Sequence, residues 1–141
     1  MNDSIEPLAS PLWFRRVEKI ANGELGDIES ALRHASHLLQ LAPIRFRHVL
    51  RLAIDEHSFE MLLADGDYDA AARHLIAQPA ALTVERHPER TGFRATIRCV
   101  ILHRAVHGSG ESMAAAILAA WTTCLLALDA DCSGRTQQSR A

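Results

Sequence analysis

Eight histidines are the residues in this chain best suited to chemistry, as metal ligands or as proton carriers near neutral pH. His34 and His37 stand three positions apart in a segment with helical spacing, and His103 and His107 stand four apart. Either pair can meet one ion from one helical face, but a zinc site takes about three or four converging ligands. Neither pair brings a third ligand and no HExxH occurs, so no metal or cofactor is expected. His57 is placed differently, on the apolar side of its expected helix among Asp55, Glu56 and Glu60. That is the setting of a partly buried histidine or of a general base.

Two other stretches imitate binding sites. Asp65-Gly66-Asp67-Tyr68-Asp69 opens like a calcium loop, but the positions that need glycine and a closing glutamate hold Ala70 and Ile76. Asp67 is therefore read as a helix cap. Gly108-Ser109-Gly110 precedes the last apolar run, where free backbone amides can hold an anion. Arg104, His107, Ser109 and Gly110 are the candidate anion-binding residues, with Ser109 as an N-cap. No Walker lysine, GxGxxG or GxSxG follows or precedes it, so no catalytic residue is assigned.

The net charge of −2 gives no general attraction to nucleic acid or to anionic membranes. Lys19 is the only lysine, and the many arginines and alanines fit a bacterial or phage-derived chain. Asp55, Glu56, Glu60, Asp65, Asp67 and Asp69 form an acidic stretch. Arg73, Arg86, Arg90, Arg94, Arg98 and Arg104 follow, and the two blocks are expected to match each other within the fold. Arg15, Arg16, Lys19, Arg45, Arg47 and Arg51 make the N-terminal half locally basic, with Arg51 and Asp55 spaced as a helical pair. Cys99, Cys124 and Cys132 are odd in number with no CxxC, which suits a reducing cytoplasm. The acidic start, Met1 to Glu6, has no apolar signal core. Ser112–Leu128 has no charge, but it is short for a membrane span and rich in Ala and Thr, so a buried helix is expected.

The elements that would position these residues follow from hydrophobic spacing. Ser10-Pro11 starts a helix carrying Trp13, Phe14, Val17 and Ile20, which Asn22-Gly23 ends. Asp27 caps a second, with Ile28, Ala31, Leu32, Ala35, Leu38 and Leu39 on one side, Arg33 and His37 opposite and His34 on the flank. A third is expected from about Ile44 to Ala64, with Phe46, Val49, Leu50, Ala53, Ile54, Met61 and Leu62 as its stripe. A fourth, capped by Asp67, packs Tyr68, Ala71, Ala72 and Leu75 and stops at Pro79. The period then changes to two: Leu82 and Val84, then Phe93, Ala95, Ile97, Cys99 and Ile101, alternate with polar residues. This is a β-hairpin, with Arg94 and Arg98 on its polar face beside Thr83, Glu85 and Thr96. Residues 103–109 fit a third strand or a loop equally well. Met113, Ile117, Trp121, Cys124 and Leu128 run along a last helix that is apolar over most of its circumference, as in a core or an interface.

One phrase occurs twice, 40 positions apart: Gly26-Asp27-Ile28-Glu29-Ser30-Ala31-Leu32-Arg33-His34 and Gly66-Asp67-Tyr68-Asp69-Ala70-Ala71-Ala72-Arg73-His74. Glycine suits a helix end, aspartate a cap, and alanine a close helix contact. Arg33, His34, Arg73 and His74 are left at matching outward or flanking positions. With its Leu-Gly, Ala and closing Pro, Leu25–Pro43 resembles the second half of a tetratricopeptide repeat, and Leu63–Pro79 resembles it more loosely. The spacing of 40 departs from the usual of about 34, and there are two copies. The resemblance implies stacked helical hairpins over residues 24–79 and protein binding. The C-terminal half looks like a small phage-type α-β-β-α sandwich, and also like a double-stranded-RNA-binding domain. Where the RNA-binding family has a lysine pair, this chain has Glu111-Ser112-Met113-Ala114.

The sequence thus predicts one helix-rich α+β domain over residues 1–141, with tails at 1–9 and 129–141. It comprises two N-terminal helical hairpins, a β-hairpin at about 82–87 and 93–102, and a long apolar helix at about 110–128. The expected role is a non-enzymatic interaction protein that binds itself or another protein, self-associating through the last helix. The partner-binding candidates are Arg33, His34, Arg73, His74, Arg94, Arg98 and Trp121. The alternative is a nucleic-acid-binding accessory protein using the arginine-rich helices and hairpin.

Overall fold

A computed structural model describes residues 10–46, 50–76, 81–99 and 102–140. The chain forms α1 (Ser10–Ala21), α2 (Ile28–Gln40), a 3-10 turn (Ile44–Phe46), α3 (Glu56–Ala64) and α4 (Tyr68–Arg73). Three strands follow, β1 (Leu82–Arg86), β2 (Phe93–Cys99) and β3 (Arg104–Gly110), and then α5 (Met113–Arg140). The fold is helix-rich α+β, with an antiparallel sheet in the order β1-β2-β3.

Aspartate starts three of the helices in the same way. Asp27, Asp55 and Asp67 each accept a hydrogen bond from a backbone N–H three residues on, at Ser30, Ser58 and Ala70. Each satisfies an amide that has no partner inside its helix. Trp13, Phe14, Val17 and Ile20 are all buried, and the Trp13 indole N–H donates to the Leu38 carbonyl oxygen at 2.8 Å, joining α1 to α2. Phe14 stands edge-on to Trp13 and to Phe46.

The long third helix is not formed. Residues 44–46 make a 3-10 turn, residues 50–55 are not helical, and the next described helix starts at Glu56. Asp55 caps that later start, and upstream the Ala53 N–H donates to the His74 carbonyl oxygen instead of to its own turn. Local capping and a tertiary backbone bond together outcompete the helical periodicity. The stripe shifts with the helix: Phe59 and Leu63 are buried, whereas Met61 is half exposed. Arg51 and Asp55 lie outside any helix and form no helical pair. Val49, Pro79, Val100, Ile101 and the 1–9 segment lie outside the described residues. The 129–141 stretch, expected as a tail, continues α5 as far as Arg140.

β1 and β2 are shorter than expected, ending at Arg86 and Cys99, and residues 104–110 are a third strand. Val84 pairs with Ala95 and Ala95 with Gly108, all facing α5. Gly108 and Gly110 are there because the helix passes directly over them. A Cβ on Gly108 would collide with the Ala120 backbone nitrogen, and one on Gly110 would lie 2.6 Å from the Ala115 Cβ.

α5 packs on β2 and β3 on one side and on α1 and α4 on the other. It is the middle layer, which explains why it is apolar most of the way round. Ile117, Trp121, Leu125 and Leu128 are buried. Met113–Ala130 is long and apolar enough to cross a membrane by composition, but 56% of it is buried within the fold.

Candidate interaction surface

The sheet alternates cleanly. Leu82, Val84, Ala95, Ile97, Val106 and Gly108 face α5, and Thr83, Glu85, Arg94, Thr96, Arg98, Ala105, His107 and Ser109 face away. Nothing among the described residues covers this outer face. Glu85 lies opposite Arg94 in the register and accepts from its Nη2 at 3.1 Å. Thr96 lies opposite His107, with Oγ1 and Nδ1 2.9 Å apart. Arg98 and Arg104 are exposed at the far end of the sheet. On the inner side, the Arg86 guanidinium stands 5.5 Å from the centre of the Phe93 ring.

The anion cradle is not formed where it was expected. Arg104, His107, Ser109 and Gly110 all belong to β3, so Ser109 points outward from a strand and caps nothing. Ser112 takes over that role by accepting from the Ala115 N–H at 3.1 Å. Asp69 from α4 accepts from the neighbouring Ala114 N–H at 2.9 Å. A carboxylate of the chain itself thus occupies the helix end where an outside anion was expected.

The repeated phrase takes different partners in its two copies. Arg33 donates through Nε and Nη2 to the Glu60 carboxylate of α3 at 3.0–3.1 Å, and through Nη2 to Glu29 at 3.2 Å. The Tyr68 hydroxyl donates to Glu29 at 3.0 Å, which holds the tyrosine above its ordinary pKa. Glu60 first and Glu29 second hold the Arg33 guanidinium above its own. In the second copy the residue matching Glu29 is Asp69, which accepts from the Ala114 N–H at the start of α5, and the Arg73 Nη2 lies 4.0 Å from the Met113 sulfur. The outward side of α2 therefore faces another helix. The acidic stretch meets α2 rather than the arginines that follow it: Glu60 pairs with Arg33, and Glu56 lies 3.9 Å from His37.

His34 is half-buried, and burial lowers its pKa, assisted by Arg16, His37 and Lys19. His74 is half-buried just past the end of α4, so the two repeated histidines lie on separate elements. His57 is exposed, not tucked among apolar side chains, because α3 buries its Phe59 and Leu63 side instead. Trp121 is 3% exposed, and its indole N–H finds no acceptor among the described residues. It is a core residue and cannot serve a partner. The described part of the last helix is engaged in the same way: 56% of Met113–Ala130 is buried within the fold. Among the described residues, no three His, Cys, Asp or Glu side chains converge as metal ligands.

Several partners were not singled out from sequence. Glu29 and Arg33 have helical pair spacing, so their contact was readable. Glu60, Tyr68 and the Asp69–Ala114 contact depend on separate elements meeting. So does the pairing of Cys124 with Cys99: burial, and then the neighbouring thiol, push the Cys124 thiol up to about 12. Compared with known proteins, the chain matches no family model, no curated protein and no solved structure.

Proposed function

We propose that this chain is a non-enzymatic interaction protein of bacterial or phage origin, self-associating through its sheet rather than through its last helix. One observation carries the reading: the sheet is covered by α5 on one face and, among the described residues, open on the other face and along both edges. An open edge presents unpaired N–H and C=O groups to another strand. Two ion pairs, Arg33–Glu60 and Arg94–Glu85, engage charged groups with one another, which suits structure more than catalysis. Light scattering over a wide concentration range tests the proposal. The expected result is a species larger than one chain; one chain at every concentration overturns it.

The second reading is nucleic-acid binding, favoured by exposed Arg98 and Arg104 at one end of the sheet. With Arg94 held by Glu85, two phosphate contacts give a salt dependence with a logarithmic slope of only about −2. DNA or RNA binding that weakens with salt at about that slope would support this reading, and no binding at low salt would end it.

A further inference from the structure

Resting on the proposed self-association, we infer that the partner is a second copy of this chain, joined β3 to β3 in antiparallel register to make one six-stranded sheet. β3 pairs with β2 on one side only, and among the described residues its backbone makes no hydrogen bond outside the sheet. From Ala105 to Gly110 it carries no Lys, Arg, Asp, Glu or Pro, the residues that ordinarily blunt an edge. The opposite edge, β1, is shorter, carries Glu85 and Arg86, and is followed by Pro88. β3 is also held ready for a partner, because Val106 and Gly108 are buried against α5. Little ordering is left to be done on association.

The sequence of the strand suits its own reverse. A two-fold axis at His107 uses all seven residues, Arg104 to Gly110. It sets Arg104 opposite Gly110, Ala105 opposite Ser109 and Val106 opposite Gly108, so a larger side chain meets a smaller residue and no like charges face each other. Only His107 meets itself. Its ring leans towards Thr96 on its own β2, away from the new seam. Registers centred on Val106 or Gly108 leave strand ends unpaired.

The test uses the full chain with His107→Lys and His107→Glu. Residues directly opposite in antiparallel strands have Cβ atoms about 5 Å apart, so each variant alone puts like charges face to face. By light scattering, the unaltered chain is expected at twice the chain mass and each variant at half of that. An equimolar mixture of the two variants is expected to recover the doubled mass, which also shows that both are folded. An unaltered chain that stays single overturns both this inference and the proposed self-association. A dimer that neither substitution weakens, or a mixture that stays single, overturns the β3 seam alone.

Discussion

The Asp69 carboxylate accepts a hydrogen bond from the Ala114 N–H at 2.9 Å, joining residues 45 positions apart. It ties the six-residue α4 to the start of the helix at the centre of the fold. α4 has its own cap in Asp67, so Asp69 is spare locally and committed at a distance.

Asp69→Ala is therefore expected to cost about 1 kcal/mol, the usual worth of a capping side chain, though the residue looks like an ordinary surface position. Asp69→Asn should retain most of it. Urea unfolding of the two variants checks the difference.

Arg33 makes a forked contact with Glu60, which a lysine cannot reproduce. Both side chains are about a third exposed, at 37%, so the contact is worth about 1 kcal/mol or less. Arg33→Lys should lose most of that amount, and the gap from the unaltered chain should narrow as salt rises. Paired urea titrations at low and high salt measure it.

Gly108→Ala should be among the most damaging small changes, because the new methyl meets the Ala119–Ala120 backbone of α5. Overpacking costs about 1–3 kcal/mol and more where backbone must move. Gly26→Ala meets open space, and its cost is that of a left-handed backbone at φ 84, about 1–2 kcal/mol. Thermal unfolding should rank Gly108→Ala as the less stable of the two.

The depressed pKa of His34, due first to burial, makes stability pH-dependent. Between its ordinary value of 6.5 and the lower folded value, the unfolded chain binds the proton and the folded chain does not. The stability it contributes is full above 6.5 and lost as pH falls through the folded value. His34→Gln should flatten the fall in stability as pH drops below 6.5.

Cys124 acts at the alkaline end. Its thiol is raised from 9.0 to about 12, first by burial and then by Cys99. The unfolded chain loses that proton first, so stability is full below 9 and lost as pH rises towards 12. Cys124→Ala removes this loss. A thiol reagent applied to the folded chain should modify half-buried Cys99 well before buried Cys124, as mass spectrometry of digested peptides would record.

Much of the architecture was legible from local rules. The stripe of α1, the aspartate caps of α2 and α4, the alternating hairpin and the apolar last helix all follow from spacing and capping chemistry that act within a few residues. Even the Glu85–Arg94 pair was readable, because a hairpin sets its register nearby. The third helix was misread because periodicity ignores competitors: Asp55 offers a second start, and the His74 carbonyl oxygen captures the Ala53 amide from a distant segment.

Neighbours along the chain dictate α1, α2, α4, the β1–β2 hairpin and α5, together with which of their faces are apolar. What each face meets depends on elements far apart in the chain. α5 became the middle layer because sheet and helices close on both sides of it. The two copies of the Gly-Asp…Arg-His phrase, alike locally, diverged because one lies against Glu60 and the other against the start of α5. β3 was undecidable in sequence for the same reason: two glycines weaken strand propensity, and only the close passage of α5 over Gly108 and Gly110 makes them the fitting residues.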